Sequence, residues 1–425
     1  MPFYERRPIR RPGRLVRRCC RVITLTSTVL VSACLYAGVC VAAPDEEALG
    51  KSKGYPRGSR STYWQEPYRV GSFSSLDEIF PYCTMPPSAS PRVLKKAATE
   101  PDIKYRLDGK TLSIDDYLNR QRATGLILLK DGEIVIERYQ YDRKSDQRLV
   151  SHSMAKTVVS LALGDGKIAA LDDTAAKYAP AIAGSAYGET ALRHLLRMSS
   201  GVKFDEDYAG MSDLIRWNEA VRTQGTPRAV KLFNHREAAP GTRFQYASSE
   251  TVVLTLALRG ATDRTLCEWV TEKLWRPMGA ERQATWLVAE DGIELASGNF
   301  NATLRDYARL GWLLADDGKL GDKQIIPKDY LLRATRAGFQ PRAFRPGVMD
   351  YKGSKYFGYG YQTWIFPGRK PRFALLGIFG QAIFVDPELK LVMVHTAVAK
   401  SPIDPDMWTE LDELWRGVVA YYGRW

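Results

Sequence analysis

The chain has few of the residues that build metal sites and disulfide frameworks. Its 425 residues include six cysteines and four histidines, and no Cys-x-x-Cys pair occurs. A small disulfide-stapled scaffold is excluded because such proteins carry cysteine at a far higher density, and a structural zinc site is disfavoured. The 34 glycines and 23 prolines follow no short period, which excludes a collagen-like chain. The 45% of hydrophobic and 26% of charged residues are instead typical of a globular protein.

The net charge of +13 is concentrated at the N-terminus rather than spread over the chain. The first 43 residues contain eight arginines and one acidic residue, Glu5. The rest of the sequence has nearly balanced charges and no stripe of lysine and arginine interleaved with aromatic residues. Such a stripe is the usual footprint of nucleic-acid binding, so we expect no nucleic-acid partner.

An uncharged apolar run, residues 22–43, follows the arginine-rich segment. This order, with small residues at the end of the run, is typical of a secretory signal, here with cleavage after Ala42 or Ala43. Two alternatives remain open. The run is long enough to span a bilayer as an uncleaved anchor, and Cys34 lies in a stretch that resembles a bacterial lipobox. All three alternatives export the remaining chain. A cleaved signal and a bacterial periplasmic location are favoured, whereas a retained or lipidated segment would attach the protein to the membrane.

Two cysteines, Cys83 and Cys267, lie after this segment. An oxidising compartment would permit a disulfide between them. The sequence alone does not bring their Cα atoms within bridging distance, so two unpaired buried cysteines are an equal alternative.

The chain divides into a signal or anchor over residues 1–43, an N-terminal extension over residues 44–105 and a large domain over residues 106–425. The extension is rich in proline, serine and glycine, which predicts a tether followed by an irregular wrap. Within the domain, strand patterns lie near both ends, whereas helical patterns dominate an insert at about residues 178–290. We therefore predict an α+β fold, in which an antiparallel sheet built from both ends is flanked by helices and carries an inserted helical domain.

Local patterns predict individual elements of this fold. Thr303 and Asp306 have the spacing of a capping box, so a helix should begin there and end near Leu314. Asp131-Gly132 is typical of a hairpin turn. Strands are predicted over residues 133–139, 373–376, 382–385 and 391–398.

A Ser-x-x-Lys motif, Ser153-Met-Ala-Lys156, opens an apolar helix-forming stretch. Positions three apart on a helix share a face, so Lys156 can reach the Ser153 hydroxyl. A serine hydroxyl needs a base to act as a nucleophile, and a neutral lysine can be that base. Backbone N–H groups at the start of the helix would also face developing negative charge. The alternative for this pair is an N-cap serine and a surface lysine.

Three further features bear on that motif. A second match, Ser200-Gly-Val-Lys203, follows a helix end and contains glycine, so we interpret it as a turn. Tyr246 lies in a short extended segment just before a helix, where a core aromatic residue is the commoner interpretation. Gly377 and Gly380 interrupt an apolar strand pattern, which indicates a bulge or a close approach of the backbone.

In order and spacing, these motifs together resemble the penicillin-recognising serine hydrolases: class C β-lactamases, penicillin-binding DD-peptidases and related esterases. The chain most resembles the branch that contains the 6-aminohexanoate-dimer hydrolases. The resemblance covers about residues 110–400 and implies a β-lactamase/transpeptidase-like fold. The stretches that support it are residues 149–156, 192–201, 304–311 and 380–387.

The resemblance implies catalytic roles for four residues. Ser153 would be the nucleophile, Lys156 its base, and Tyr246 would share the proton transfer. The backbone N–H groups of Ser153 and Ile378 would form the oxyanion hole. No metal or organic cofactor is implied.

The resemblance also implies substrate-binding positions. Ser248 fills the third position of the family's Tyr-x-Asn or Tyr-x-Ser element, and Tyr208 is a candidate for the substrate wall. Gly377 ends the stretch where β-lactamases carry Lys-Thr/Ser-Gly. At Leu375 the chain departs from the family, whose lysine at that place helps to hold a substrate carboxylate. Arg372, three residues away, could supply another cation.

We therefore expect an exported serine hydrolase that cleaves an amide or ester bond of a small molecule through an acyl-enzyme. The alternative among enzymes is a β-lactamase or DD-peptidase, which the leucine at position 375 disfavours. The alternative outside enzymes is a non-catalytic cell-wall binding or sensor protein on the same fold, which the retained serine, lysine and tyrosine disfavour.

Overall fold

The computed structural model describes residues 43–425. The predicted signal or anchor, with the lipobox-like Cys34, lies outside the described residues except for Ala43. Among the helices of residues 43–425, none combines the length and the apolar character needed to cross a membrane.

Strands lie mainly towards the two ends of the described chain, and a run of helices uninterrupted by strands, within residues 155–270, lies between them. The α-helices are α1 (Glu66–Ser72), α2 (Ile114–Arg120), α3 (Ala155–Leu163), α4 (Ala175–Tyr178), α5 (Leu192–Leu196), α6 (Asp213–Gln224), α7 (Thr226–Leu232), α8 (Ser248–Thr262), α9 (Leu266–Val270), α10 (Leu304–Ala315), α11 (Lys328–Thr335) and α12 (Pro405–Tyr422). The strands are β1 (Tyr82–Met85), β2 (Lys104–Leu107), β3 (Lys110–Ser113), β4 (Ala123–Lys130), β5 (Glu133–Tyr139), β6 (Arg148–Val150), β7 (Ala284–Leu287), β8 (Phe300–Thr303), β9 (Lys319–Leu320), β10 (Lys323–Gln324), β11 (Gly358–Tyr359), β12 (Trp364–Ile365), β13 (Phe373–Gly377), β14 (Gln381–Asp386) and β15 (Leu391–Ala397).

The main sheet is antiparallel and joins strands from both ends of the domain, in the order β11-β12-β13-β14-β15-β4-β5. The hairpin between β4 and β5 turns at Asp131 and Gly132, whose φ angles of 51° and 81° are those of the left-handed turn that suits a hairpin. The predicted strands and the α+β, β-lactamase/transpeptidase-like fold class are confirmed.

Helices cover both faces of this sheet. On one face α10 begins at Thr303, whose hydroxyl accepts a hydrogen bond from the Asp306 N–H, as the capping pattern predicts. A Cβ added at Gly311 would lie 2.4 Å from the Val392 side chain, so this helix packs directly on β15. On the other face α12 places Trp415 in a stack with Phe384 of β14, with ring centroids 5.6 Å apart.

A second sheet, in the order β1-β7-β8-β6, was not predicted from the sequence. Its strands have three or four residues, and all residues of β7 and β8 are buried. Strands buried on both faces lack the alternation of apolar and polar residues that identifies a strand. In sequence, β7 lies inside the stretch predicted as the helical insert, which the structure fills mostly with α4 to α9 and a π-helical turn, Thr271–Trp275.

The N-terminal extension packs closely against the domain. Its β1 pairs with β7, and Cys83 on β1 forms a disulfide with Cys267 on α9 across a Cα–Cα distance of 6.3 Å. This resolves the pairing that the sequence left open. The expected tether and irregular wrap are wrong for residues 66–72 and 82–85, which form α1 and β1.

Candidate active site

The Ser-x-x-Lys motif lies at the start of α3. A 3₁₀ turn, His152–Met154, carries Ser153 and leads directly into the helix that carries Lys156. The Lys156 Nζ atom lies 2.8 Å from Ser153 Oγ and 2.6 Å from the carbonyl oxygen of Ser297. The predicted reach of the lysine to the serine is therefore present in the structure.

Burial changes the pKa of the lysine in this pair. The Lys156 side chain is 1% exposed, and burial lowers its pKa to about 8 from a usual value near 10.5. The carboxylate of Glu206 acts in the opposite direction and raises the pKa. A lysine with this pKa is partly neutral near neutral pH, so its Nζ atom can accept a proton from the serine hydroxyl.

Tyr246 completes a triad of side chains around the serine hydroxyl. Its side chain interacts with that of Ser153, and its ring centroid lies 5.0 Å from Lys156 Nζ. Burial holds the pKa of Tyr246 well above its usual value, so the phenol stays protonated and can donate. The ring is fixed by a stack on Trp364 at 5.6 Å.

A narrow pocket opens at this triad. Five of the predicted site residues contribute to its wall, namely Ser153, Tyr208, Tyr246, Gly377 and Ile378. Its other lining residues, which were not predicted, are Tyr351, Trp364, Leu376 and Ile403. The wall is therefore mainly aromatic and aliphatic, with the serine and tyrosine hydroxyls as its polar groups.

The glycine in β13 is explained by a close approach of two backbones. A Cβ added at Gly377 would lie 2.4 Å from the Ser151 carbonyl oxygen and 3.0 Å from the Ser153 nitrogen. Only glycine lets the strand come this near to the backbone of the proposed nucleophile. The following residue, Ile378, is thereby brought to the same pocket as Ser153.

Ser248 does not contribute to the pocket wall. Its backbone N–H and its hydroxyl both donate to the carboxylate of Glu206, at 2.8 and 2.6 Å. The proposed role of Ser248 in binding substrate therefore has no support in the geometry, because its hydroxyl is already engaged at the start of α8. Glu206 was missed from the sequence: the middle residue of the acidic run Asp205-Glu206-Asp207, in an irregular segment, looks like a solvated surface acid, yet it is 4% exposed.

The position expected to replace the family's lysine also differs from expectation. Leu375 pairs with Ile383 and is 1% exposed in the core beside α10, whereas the next residue, Leu376, lines the pocket. Arg372 does not supply a substitute cation, because its guanidinium donates to Asp386 at 2.5 Å and to the Arg424 carbonyl oxygen at 2.7 Å.

A larger cavity of about 530 Å³ lies on the side of Ser297, the residue whose carbonyl oxygen contacts Lys156. It is lined by the N-terminal extension, by α6 and by residues 287–299. One lining residue is Ser297, whose carbonyl oxygen accepts from Lys156 Nζ. The cavity wall carries charged residues in pairs, with Arg222 beside Glu219 and Arg60 beside Glu290. Nothing in the sequence indicated this cavity, because its walls come from three distant segments.

The described residues offer little for a metal ion. Within residues 43–425, the one group of potential ligands close enough together is Cys83, Cys267 and Glu294, and its two cysteines are joined in the disulfide. Disulfide sulfurs are not thiolates, which are the form that binds metal.

Comparisons with known proteins agree with this architecture. The beta-lactamase family profile matches residues 114–411. A 6-aminohexanoate-dimer hydrolase of Paenarthrobacter ureafaciens is 26% identical over 360 residues, which cover 81% of this chain and 88% of that protein. A Bacillus anthracis protein provisionally described as a 6-aminohexanoate-dimer hydrolase has a similar structure, with a TM-score of 0.73, 21% identity, and coverage of 87% of this chain and 97% of that one. A family VIII carboxylesterase shares the fold with a TM-score of 0.53 and 20% identity over 70% of this chain and 93% of its own.

Proposed function

The chain belongs to the beta-lactamase family, and on that premise we propose that it is a serine hydrolase that cleaves an amide or ester bond through an acyl-enzyme on Ser153. One observation carries the proposal: the buried Lys156 Nζ, with a pKa lowered to about 8, lies 2.8 Å from Ser153 Oγ. A surface lysine beside an N-cap serine would have neither the burial nor the shifted pKa.

The proposed reaction first transfers the acyl group of the substrate to Ser153 and then transfers it to water, with proton transfers at each stage. Neutral Lys156 takes the Ser153 proton while Oγ attacks the substrate carbonyl carbon, and the N–H groups of Ser153 and Ile378 stabilise the oxyanion. Tyr246 donates its hydroxyl proton to the departing amine or alcohol, and Lys156 restores that proton to the tyrosine. Water then attacks the acyl-enzyme by the reverse sequence of transfers, which releases the acid and frees Ser153.

The pocket favours an uncharged group next to the scissile bond. Its wall presents Leu376, Ile403 and four aromatic rings to the substrate. The nearby cavity of about 530 Å³ would hold the second arm of a small extended molecule. We therefore propose a linear amide or ester substrate like that named for the Paenarthrobacter relative. β13 turns the apolar Leu376 into the pocket and offers no lysine there, which disfavours a β-lactam or a peptidoglycan stem peptide.

We also propose that the protein acts outside the cytoplasm. Support comes from the arginine-rich start and the uncharged residues 22–43. The disulfide between Cys83 and Cys267 is consistent with an oxidising compartment.

Covalent labelling of the serine is the direct test. We expect a serine-directed phosphonate to add one adduct per chain by intact mass, and peptide mapping to place it on Ser153. We also expect a burst of nitrophenol from a nitrophenyl ester, because acylation releases the alcohol before water releases the acid. Labelling of a different serine, or turnover that survives complete labelling of Ser153, would contradict the assignment.

A further inference from the structure

The two residues that flank the proposed oxyanion hole share an unusual backbone conformation. His152, just before Ser153, has a φ of 41°, and Phe379, just after Ile378, has a φ of 59°. Neither is glycine, so each of these left-handed conformations costs energy and persists only where neighbouring groups hold it. The conformation of His152 orients the peptide group that carries the Ser153 N–H, and the conformation of Phe379 fixes the path of the chain directly after Ile378.

The N-terminal extension supplies the neighbouring groups. Trp64 lies 5.7 Å from the His152 ring and 4.9 Å from the Phe379 ring, between centroids. Phe73 lies 4.8 and 5.4 Å from the same two rings. The His152 and Phe379 rings are themselves 5.9 Å apart, so the four rings form one cluster behind the oxyanion hole.

Polar contacts tie the extension to the backbones that carry these rings. The Arg69 guanidinium lies 4.5 Å from the Phe379 ring centroid and donates to the Ala399 carbonyl oxygen at 2.6 Å. The Ala399 N–H in turn donates to the Phe379 carbonyl oxygen at 3.3 Å. The Phe73 carbonyl oxygen accepts from the Val150 N–H at 2.9 Å, at the end of β6 and three residues before Ser153. Both chain segments that would provide oxyanion donors are therefore held from behind by the same part of the extension.

The cluster is apolar in character. Phe379 is fully buried, and His152 is 5% exposed with no hydrogen-bond partner on its Nε2 atom. Burial, together with the positive charges of Lys156 and Arg69, lowers the pKa of His152 to about 3, so the imidazole is neutral. A neutral histidine that packs edge-on against Trp64 and Phe73 and tilted against Phe379 serves as a packing residue rather than as an acid or base.

We propose that Trp64, Arg69 and Phe73 are positioning residues for the oxyanion hole: they hold His152 and Phe379 in their left-handed conformations and thereby aim the N–H groups of Ser153 and Ile378. This inference rests on the proposed function, because it assigns a role to the N-terminal extension within the same site. These three residues would then support the active site, so the extension is not only a connection to the N-terminal segment.

Trp64→Ala tests the inference in the otherwise unchanged chain. Active sites are first counted with the phosphonate, so that unfolded molecules do not enter the rate. We expect kcat per labelled site for a nitrophenyl ester to fall by about 10- to 100-fold, because small misplacements of catalytic groups have effects of this size. KM should change little. The affinity for a boronic acid, whose tetrahedral adduct places an oxygen in the oxyanion hole, should fall in parallel with kcat.

Two matched variants separate positioning from loss of stability. Trp64→Phe restores a ring and should recover most of kcat. Leu49→Ala removes a fully buried side chain from the same apolar cluster without removing a ring. It should lower the unfolding temperature while leaving kcat per labelled site unchanged. The pH midpoint set by Lys156 should be the same in all variants. If Trp64→Ala yields no labelled sites, Trp64→Leu takes its place in the comparison.

A failure of the positioning role can be distinguished from a failure of the proposed function. A Trp64 variant with normal kcat per labelled site overturns the positioning role and leaves the serine hydrolase proposal intact. An unchanged chain without a burst and without a Ser153 adduct overturns the proposed function itself.

Discussion

Ser153 and Ser200 both begin a Ser-x-x-Lys pattern, but their surroundings differ. Ser153 meets a buried lysine, whereas the lysine that follows Ser200, Lys203, is 60% exposed and pairs with Glu237 at 3.5 Å. Ser200 is fully buried, and its hydroxyl donates to Glu250 at 2.6 Å. Helical alignment with a buried lysine, rather than the Ser-x-x-Lys pattern itself, distinguishes the proposed nucleophile Ser153 from the structural Ser200.

These surroundings predict opposite effects of the same substitution. Ser153→Ala should abolish ester turnover and leave the free energy of unfolding nearly unchanged. Ser200→Ala should retain turnover per folded molecule but lower the free energy of unfolding by about 1–3 kcal/mol, because it removes a hydrogen bond from a buried carboxyl group. Ester kinetics and denaturant unfolding of the two variants check this. An active Ser153→Ala variant beside an inactive Ser200→Ala variant would reverse the assignment.

Lys156 predicts the pH dependence of acylation. Its neutral form is the proposed base, and its pKa is lowered to about 8 by burial. The rate of acylation should therefore rise with pH, by about tenfold per pH unit below 8, and level off above it. The pH profile of burst kinetics with a nitrophenyl ester measures this midpoint.

Lys156→Arg is the matched control for the base. Arginine keeps the positive charge but does not release its proton in proteins, so the variant should stay inactive at every pH up to 10. Substantial turnover by the arginine variant, or a rate that falls as pH rises from 6 to 8, would remove lysine from the role of base.

At the scale of elements, β13 decides the substrate class. Its register places Leu376 in the pocket and Leu375 in the core, and Arg372, the residue just before the strand, donates to Asp386. The strand thus presents no cation to a substrate carboxylate. A charge-assisted hydrogen bond of that kind contributes about 1.5–3 kcal/mol.

We therefore expect nitrocefin to be a poor substrate and small neutral esters or linear amides to be better ones. The measurement compares kcat/KM for nitrocefin, nitrophenyl acetate and a 6-aminohexanoate dimer on one preparation. A value for nitrocefin well above the other two would show that the β-lactamase alternative is correct and that the argument from β13 fails.

The elements that the sequence predicted well are those with a strong local pattern. β5, β14 and β15 contain long apolar or alternating runs, and α10 has its capping residues in place. β7 and β8 were missed because four fully buried residues carry no period. Their existence depends on pairing partners far away in the chain.

The same difference between local patterns and long-range contacts applies to the residues of the candidate active site. Lys156 could be matched to Ser153 because helical geometry relates residues three apart. Glu206 could not be found, because its importance comes only from its burial beside Ser248. The rings of Trp64 and Phe379 are 315 positions apart in the sequence, and no local pattern relates them.

At the scale of the whole molecule, the disulfide between Cys83 and Cys267 joins the N-terminal extension to the helical part of the domain. The bond closes a loop of 184 residues, and removal of a disulfide from a folded domain typically costs about 2–5 kcal/mol. The chain should therefore be more stable when it folds in an oxidising compartment. The proposed export would therefore stabilise the fold through this one bond.

Thiol labelling of the full-length chain, expressed in a bacterium and fractionated, tests both parts of this argument. Exported protein should begin near Pro44, or carry a modified Cys34, and its Cys83 and Cys267 should react with a maleimide only after reduction. The control is the chain without residues 1–42, which stays in the reducing cytoplasm. There both cysteines should react in denaturant without reductant, and the unfolding temperature should be lower because the loop is open in the unfolded state.

Full-length protein recovered from the soluble cytoplasm with two reactive thiols would contradict export. Exported protein whose unfolding temperature is insensitive to reductant, despite complete reduction, would contradict the stabilising role of the disulfide.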